Sequence, residues 1–494
     1  MNFIGIFTCN LLTYSNTGEE MIRKYQNYCW IVGAIIIKVA MTVWVYSNNF
    51  FAFGGDDFGK IKIALDASQD INKLLPPFTG AWVGGQFAVQ ALFIKIFGNA
   101  YFSSIFVNSI STLLCIILVF KISQFLFSNA AAKLSLILML FLPWTTWFMI
   151  AGQSDSMFYA VFLACVYSLL RWQENGAFKW LMTAVIFCAL SCSIRYHGWL
   201  LSGILSVYFA GIWLLPKYRH FKHKFKFSHL ALAIFFIWLV PLSWLLLHKF
   251  LLGDSTVWLP MHEATAQMRT LVDYMENSSA RMIWWLALLL PLILMFLISP
   301  ILFLLMLFCV PIFLRTTKQN KIVYGFIFFG YFAILTLIYL KDRGLTYYVP
   351  QRYVMIEIYM LIPLISAFLL QQSKKLCITV LFIYVAFGIY STWQFTTQYQ
   401  SDFRMGHLLN NFYEHGVLSP NDRVYILPPV DPRAVGVFAE HIDNVDGVSA
   451  VDIREFHNAL YTSPQALTNH LDKHHIKTVW LPAGSNEAKK ISHI

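Results

Sequence analysis

Long apolar runs are the feature that most constrains the fold of this 494-residue chain. A helix that crosses a bilayer needs about 20 mostly apolar residues. Only 12% of the residues are charged, against roughly 25% in soluble proteins, so the polar surface is too small for a water-soluble body. The sequence therefore predicts a polytopic α-helical membrane protein with about eleven spans. They lie near 29–49, 101–121, 134–150, 156–172, 178–195, 198–215, 229–250, 282–314, 322–340, 353–371 and 376–393.

Basic residues lie in every second connection between these runs, and this pattern sets the predicted topology. Cytoplasmic loops of membrane proteins carry an excess of Lys and Arg. The pattern predicts a cytoplasmic N-terminal tail over 1–28, a transmembrane domain over 29–393 and a single crossing by the long run 282–314. The net charge of +11 is thus explained by loop Lys and Arg residues that orient the helices in the membrane. The sequence contains no nucleic-acid-binding signature. The basic connections hold Arg23 and Lys24, Lys121 and Lys133, Arg171 and Lys179, Lys217 to Lys226, Arg315 to Lys321, and Lys374 and Lys375.

The other connections are predicted to face the extracytoplasmic side. The first, 50–100, is far longer than an ordinary connector. The helical spacing of its apolar residues in WVGGQFAVQALFIKIFG predicts short helices in the membrane interface. The tail 394–494 alternates short strand and helix patterns, with a helix start at Ser463 and Pro464. It predicts a small extracytoplasmic α/β domain with a parallel sheet.

Two adjacent acids, Asp56 and Asp57, follow the first apolar run in the stretch FFAFGGDDFGKIK. Interfacial helices would hold this pair at the headgroups, where a lipid phosphate and a water-borne hydroxyl can meet. A carboxylate there can act as a general base. Arginines on the same side can bind phosphate oxygens in bidentate geometry.

The order of four motifs between residues 50 and 200 resembles a known family. GDD, LLPPFTGAWVGGQF, FGNA and FSNAAAKLSLILMLFLPWTTW follow one another as in the N-terminal half of GT-C glycosyltransferases, closest to the branch with protein O-mannosyltransferases and aminoarabinose transferases. The resemblance implies a sugar donor linked to a polyprenyl phosphate and an extracytoplasmic active site. The family's Asp-Glu pair falls on Asp56 and Asp57; the second position is Asp here, so either carboxylate is a candidate base.

The remaining candidates are polar residues of the predicted outer segments. Asp155 also fits a helix cap in the sequence SDS, Arg352 also fits an ion pair with Glu357, and a metal at His262 and Glu263 is a weaker alternative. No metal or other cofactor is predicted to be required. The candidates for binding the donor phosphate are Arg195, Arg343, Arg352 and Lys60, and those for other substrate contacts are Asp155, His197, His262 and Glu263.

The sequence therefore predicts a multi-pass glycosyltransferase, with a bacterial inner membrane as the expected location. Its partners would be the polyprenyl-phosphate sugar donor, membrane lipids and an acceptor that is a lipid, a glycan or a protein. One alternative is a lipid-linked glycan polymerase or ligase, which usually depends on arginine-rich outer loops without an acid pair. The other is a secondary transporter or flippase, which usually has repeated halves and polar groups near the midplane.

Overall fold

The computed structural model of the chain is mostly helical. It describes residues 16–48, 50, 55–79, 82–214, 226–252, 284–315, 320–341 and 351–398, and short stretches of the tail at 411–412, 415–417, 423–426, 445–446, 459–473 and 476–480.

The first half of the described chain contains ten α-helices, with a 3₁₀-helix at Ile71–Leu74. They are α1 (Asn16–Ser47), α2 (Gly55–Gln69), α3 (Pro76–Thr79), α4 (Gly85–Phe97), α5 (Ala100–Leu126), α6 (Asn129–Leu140), α7 (Pro143–Ile150), α8 (Asp155–Asn175), α9 (Phe178–Ile194) and α10 (His197–Leu214).

The second half continues the helical bundle, with a further 3₁₀-helix at Gln351–Val354. Its helices are α11 (Phe227–Leu252), α12 (Trp284–Ile298), α13 (Pro300–Arg315), α14 (Asn320–Lys341), α15 (Met355–Leu369) and α16 (Lys374–Gln398).

Among the described residues, six helices are long and apolar enough to cross a membrane, or seven if α6 and α7 form one bent span. The chain is therefore a multi-pass membrane protein, but this count is lower than the eleven predicted spans. Other predicted spans are present as shorter apolar helices that this count does not include, such as α9 with 17 residues for the predicted span 178–195. The run 282–314 is divided at Ser299, where Pro300 begins α13, because proline cannot continue a helix without losing a backbone hydrogen bond.

A bend interrupts the predicted span 134–150. Helices α6 and α7 meet at 62°, and Pro143 is the first residue of α7. The carbonyl groups at the end of a buried helix need hydrogen-bond donors. The buried Lys38 of α1 supplies one, since its Nζ donates to the Leu140 carbonyl at 2.9 Å and to Thr146 Oγ1 at 2.6 Å. This intramembrane lysine is therefore paired and stabilises the bend.

The predicted short helices of the region 50–100 are present as α2, α3 and α4. Helix α4 packs on α2 through Phe87, Ile94 and Ala64. Its N-terminal end also lies against the end of α9, because a Cβ on Gly85 would lie 2.5 Å from the Ser193 carbonyl oxygen. This close approach places α2 beside the α9–α10 connection.

The described part of the tail includes three strands and a ten-residue helix. The strands β1 (Arg423–Ile426), β2 (Val445–Asp446) and β3 (Ile476–Trp480) form a parallel sheet in the order β2-β1-β3. Helix α17 spans Pro464–Lys473, and the amide of Ala466 donates to the Ser463 hydroxyl at 3.1 Å. The predicted helix start is thus confirmed, whereas the extent of a domain over 394–494 stays a prediction.

Candidate functional site

Four stretches of chain meet at one end of the helical bundle. They are the first turns of α2, the segment 151–154 between α7 and α8, the α9–α10 connection at Arg195, and the 3₁₀-helix Gln351–Val354. The predicted topology puts all four on the same side of the membrane, and their contact agrees with it. Their polar side chains form one group, called here the polar cluster: Asp57, Lys60, Gln153, Asp155, Arg195 and Arg352.

Asp155 is the buried anion of the polar cluster. Its Oδ1 lies 2.6 Å from Arg195 Nη1, and its Oδ2 lies 4.0 Å from Arg352 Nε. The side chain of Asp155 is 1% exposed, and those of the two arginines are 11% and 14% exposed. The Tyr159 hydroxyl also donates to Asp155 Oδ1, at 3.2 Å. Buried charges persist only when they are paired, so this acid holds two guanidinium groups at one place.

An aromatic ring also contacts the two arginines. The Cζ atoms of Arg195 and Arg352 lie 5.2 Å and 5.6 Å from the centre of the Tyr353 ring, within the range of cation–π attraction. The His197 ring lies 4.7 Å from the same ring. Tyr353 therefore helps to keep two like charges together in a buried place.

The second part of the polar cluster is a chain of three buried side chains. Gln153 Nε2 donates a hydrogen bond to Asp57 Oδ1, and Gln153 Oε1 accepts one from Lys60 Nζ. The Lys60 ammonium also lies 5.5 Å from the centre of the Trp82 ring. Through Gln153, the carboxylate of α2 is connected to a cation one turn further along the same helix.

The two parts of the cluster interact electrostatically. The pKa of Lys60 is lowered to about 7, first by burial and then by the positive charges of Arg352 and Arg195. The carboxylates of Asp155 and Asp57 act in the opposite direction. The cluster thus combines three basic side chains with two carboxylates, so its full ionisation leaves one excess positive charge. Such a site favours a bound anion.

The backbone of the segment 151–154 is held by buried amide side chains. Asn108 Nδ2 donates to the Ala151 carbonyl, and Gln86 Nε2 donates to the Gly152 carbonyl at 3.2 Å. Gly152 itself touches the backbone of α2, since an added Cβ would lie 2.8 Å from the Asp57 carbonyl oxygen. Only glycine allows this approach without movement of the chain.

Gly152→Ala is expected to lower the free energy of unfolding by about 1–3 kcal/mol, the usual cost of overpacking. The methyl group would press on the Asp57 carbonyl and separate the segment from α2. The matched control is Gly203→Ala in α10, where the added Cβ meets nothing within 4 Å. Unfolding in detergent should show a loss for the first variant and none for the second. An equal effect of both substitutions would contradict the close contact.

The structure brings six of the predicted site residues together: Asp57, Lys60, Asp155, Arg195, His197 and Arg352. The backbone of Asp56 lies in α2, but its side chain is outside the described residues, as are Arg343, His262 and Glu263.

Two sequence interpretations are corrected. Asp155 is not simply part of a helix cap, because Ser154 makes no side-chain capping hydrogen bond and the Asp155 carboxylate pairs with Arg195. Arg352 pairs with Asp155 instead of Glu357, which is buried in α15 and whose carboxylate oxygens have no hydrogen-bond partner among the described residues.

Gln153 and Tyr353 are site residues that sequence reasoning missed. Both lie in motifs already noted for another residue, AGQSDS for Asp155 and PQRY for Arg352. A neutral amide and an aromatic ring near a membrane surface give no signal of their own. As for metals, no group of three or more His, Cys, Asp or Glu that could hold an ion occurs within the described part of the chain.

One protein family and several solved structures are similar to this chain. The family model for dolichyl-phosphate-mannose-protein mannosyltransferase matches residues 84–244. No curated protein is significantly similar to this chain in sequence. Among solved structures, ArnT from Cupriavidus metallidurans bound to undecaprenyl phosphate is similar with a TM-score of 0.61 and 13% identity, over 94% of this chain and 90% of ArnT.

A second similar structure is the archaeal oligosaccharyltransferase AglB from Archaeoglobus fulgidus in complex with an inhibitory peptide and a dolichol-phosphate. The TM-score is 0.55 and the identity 12%, over 92% of this chain and 69% of AglB. At such low identity the likeness concerns the fold. The family-model match and the shared fold together confirm the predicted resemblance to GT-C glycosyltransferases. The chain is a multi-pass membrane protein with the fold that ArnT and AglB share.

Proposed function

We propose that this protein is an integral membrane glycosyltransferase, which transfers a sugar from a polyprenyl-phosphate-linked donor to an acceptor on the extracytoplasmic side. The observation that carries the proposal is the polar cluster, a buried carboxylate beside three basic side chains at one end of the bundle. ArnT and AglB, which share the fold, have structures with bound undecaprenyl phosphate and with a dolichol-phosphate, respectively. The same kind of ligand suits the excess positive charge of the cluster.

The basic residues would hold the phosphate of the donor. As the glycosidic bond breaks, the phosphate oxygen gains negative charge, and fixed positive groups that stabilise this charge lower the barrier. Arg195 and Arg352 are fixed by Asp155 and Tyr353, so little reorganisation is needed when the charge develops. Lys60 would supply a third positive group.

Asp57 would act as the general base. The acceptor oxygen attacks the anomeric carbon of the donor, the bond from that carbon to the phosphate oxygen breaks, and the polyprenyl phosphate leaves with the electron pair. The acceptor proton passes to the Asp57 carboxylate, which Gln153 orients. A single displacement of this kind inverts the anomeric centre and forms no covalent enzyme intermediate.

The extracytoplasmic location of the site is part of the proposal. The opposite ends of the described helices carry the basic connections that favour the cytoplasm, such as Arg171 with Lys179 and Lys374 with Lys375. This assignment puts the N-terminus in the cytoplasm and the tail outside it, in agreement with an inner-membrane location. The position of the cluster at one end of the bundle argues against a transporter, whose binding site lies near the midplane. The carboxylate beside the basic groups favours sugar transfer over a polymerase or ligase with arginines alone.

Binding of undecaprenyl phosphate to the purified protein tests the proposal. Affinity is expected to fall several-fold as the pH rises from 6 to 8.5, because Lys60, with its pKa at about 7, is charged below this range and neutral above it. The second ionisation of a phosphate monoester, with a pKa of about 6, changes the ligand over the same range. The Lys60→Met variant separates the two effects, since only the part due to Lys60 should disappear.

Lys62→Met is the matched control, because Lys62 lies on the same helix and is partly exposed. It should keep the pH dependence of the unmodified protein. Absence of binding at every pH would overturn the proposed function. The same pH dependence in the unmodified protein and in Lys60→Met would remove Lys60 from the phosphate site.

A further inference from the structure

Gln153 connects the two groups of the polar cluster that the proposed reaction uses. Its amide nitrogen donates to Asp57 and its amide oxygen accepts from Lys60. All three side chains are at most 2% exposed. A buried glutamine in this position is bound at both ends of its amide by groups of opposite charge.

The chemistry of these two partners fixes the orientation of the amide. Asp57 as a carboxylate only accepts hydrogen bonds, and Lys60 only donates them when it is charged. A reversed amide would set its oxygen against the carboxylate and its NH₂ group against the ammonium. The amide nitrogen therefore faces Asp57, and the amide dipole runs from the basic side chain to the acid.

The backbone around Gln153 is held in place as well. Its neighbours Ala151 and Gly152 have their carbonyl groups bound by Asn108 and Gln86. Gly152 lies in contact with the Asp57 backbone. Neither end of the link between Gln153 and Asp57 can move far, so the amide is able to determine where the carboxylate points.

We propose that Gln153 is a positioning residue, which holds the Asp57 carboxylate in the orientation for proton transfer and couples it to the phosphate-binding side chain of Lys60. This inference rests on the proposed function, because it assigns Asp57 to proton transfer and Lys60 to the donor phosphate. It adds a residue that touches neither the donor nor the acceptor in the proposed reaction. Its contribution to the transfer rate acts through Asp57, and the hydrogen bond from Lys60 keeps the amide in the orientation that Asp57 requires.

If Gln153 is a positioning residue, its loss should lower the transfer rate much more than the affinity for the donor. Loss of the amide should lower the transfer rate at saturating donor by about 10²-fold, since small misplacements of a catalytic group have costs of this size. The affinity for undecaprenyl phosphate should change less than threefold, because Arg195 and Arg352 remain on Asp155. A purely structural role would instead lower both quantities together with the amount of folded protein.

A double-mutant cycle tests this separation with the full-length protein in detergent. Gln153→Met keeps the length of the side chain and removes both hydrogen bonds. In the unmodified background it should reduce the transfer rate by about 10²-fold. In the Asp57→Asn background it should cause less than a twofold further loss, because a residue that acts through Asp57 has no effect once the carboxylate is gone. Multiplicative effects of the two substitutions would overturn the proposal.

Gln90→Met in α4 is the matched control. Gln90 is equally buried. It donates to Ser104 Oγ at 3.0 Å and accepts from Gln86 Nε2 at 3.4 Å, so it lies next to the polar cluster without a hydrogen bond to any of its members. It should lower thermal stability to a similar extent without the 10²-fold loss of rate. An equal loss of rate in Gln90→Met would show that any buried amide of this region has the same effect, and would also overturn the proposal.

Gln153→Glu tests whether an N–H donor must face Asp57. The new carboxylate can still accept from Lys60, but it sets an oxygen against Asp57 where the amide nitrogen was. The rate should fall at least as far as in Gln153→Met, while a rate near that of the unmodified protein would exclude the need for an N–H donor. Failure of the proposed function is distinguishable from these outcomes, since it would appear as absent undecaprenyl phosphate binding and absent sugar transfer in the unmodified protein. Full activity of Asp57→Asn would leave the function intact and would overturn only the role of Gln153 as the residue that positions the base.

Discussion

Asp57→Asn is expected to reduce the rate of sugar transfer by about 10²–10⁴-fold, the contribution usual for a general base. The substitution keeps the size of the side chain and removes the ability to take up the acceptor proton. The affinity for undecaprenyl phosphate should remain within a few-fold, because the basic residues of the polar cluster are unchanged. The donor for the assay is the lipid-linked sugar that accumulates in cells lacking the protein, and the rate is measured in a single turnover with enzyme in excess.

Asp56→Asn is the matched control for this experiment. The two acids are adjacent in sequence, but Asp57 is fully buried and bound by Gln153. We therefore expect the larger loss in Asp57→Asn and a smaller one in Asp56→Asn. The reverse order would move the role of base to Asp56, and normal turnover in both variants would remove the proposed mechanism altogether.

The helical fold and the grouping of the outer candidate residues could be predicted from the sequence, because their signals are carried by many residues. Apolar runs and alternating basic connections predicted the helical bundle, and the motifs of the region 50–200 predicted the resemblance to GT-C enzymes. The outer candidates Asp57, Lys60, Arg195 and Arg352 were selected by charge and by side of the membrane. Topology alone sufficed to bring them to one end of the bundle.

The sequence could not predict which of these residues form ion pairs with one another. Asp155 contacts Arg352 across 197 positions of chain, and nothing in the local pattern distinguishes this partner from Glu357, five residues further on. The bend within the predicted span 134–150 was also not predictable, because an apolar run does not reveal where a helix bends. Pro143 and Lys38 together produce the bend between α6 and α7, and the lysine lies about a hundred residues upstream.

Asp155→Asn is expected to lower the free energy of unfolding by about 3–5 kcal/mol, the cost of leaving a buried charge without its partner. Arg195 at 2.6 Å and Arg352 at 4.0 Å both lose their counter-charge and repel each other across Tyr353. A bound phosphate can replace this negative charge. Undecaprenyl phosphate should therefore raise the melting temperature of Asp155→Asn by more than that of the unmodified protein, although the variant is less stable without ligand.

Glu174→Gln supplies the control for Asp155→Asn, because it breaks an ion pair of similar length without burial. Arg171 Nη1 lies 3.2 Å from Glu174 Oε2, with side chains 34% and 46% exposed, and exposed pairs contribute about 0–1 kcal/mol. A second substitution, Arg352→Gln in the Asp155→Asn background, should recover part of the lost stability, since it removes one of the two repelling charges. Two results would show that Asp155 is not the counter-charge of the phosphate site. One is a loss of unfolding free energy in Asp155→Asn no larger than in Glu174→Gln, and the other is an equal rise of the melting temperature by the lipid phosphate in Asp155→Asn and in the unmodified protein. In that case the proposed fixing of Arg195 and Arg352 by Asp155 would be removed from the account of donor binding.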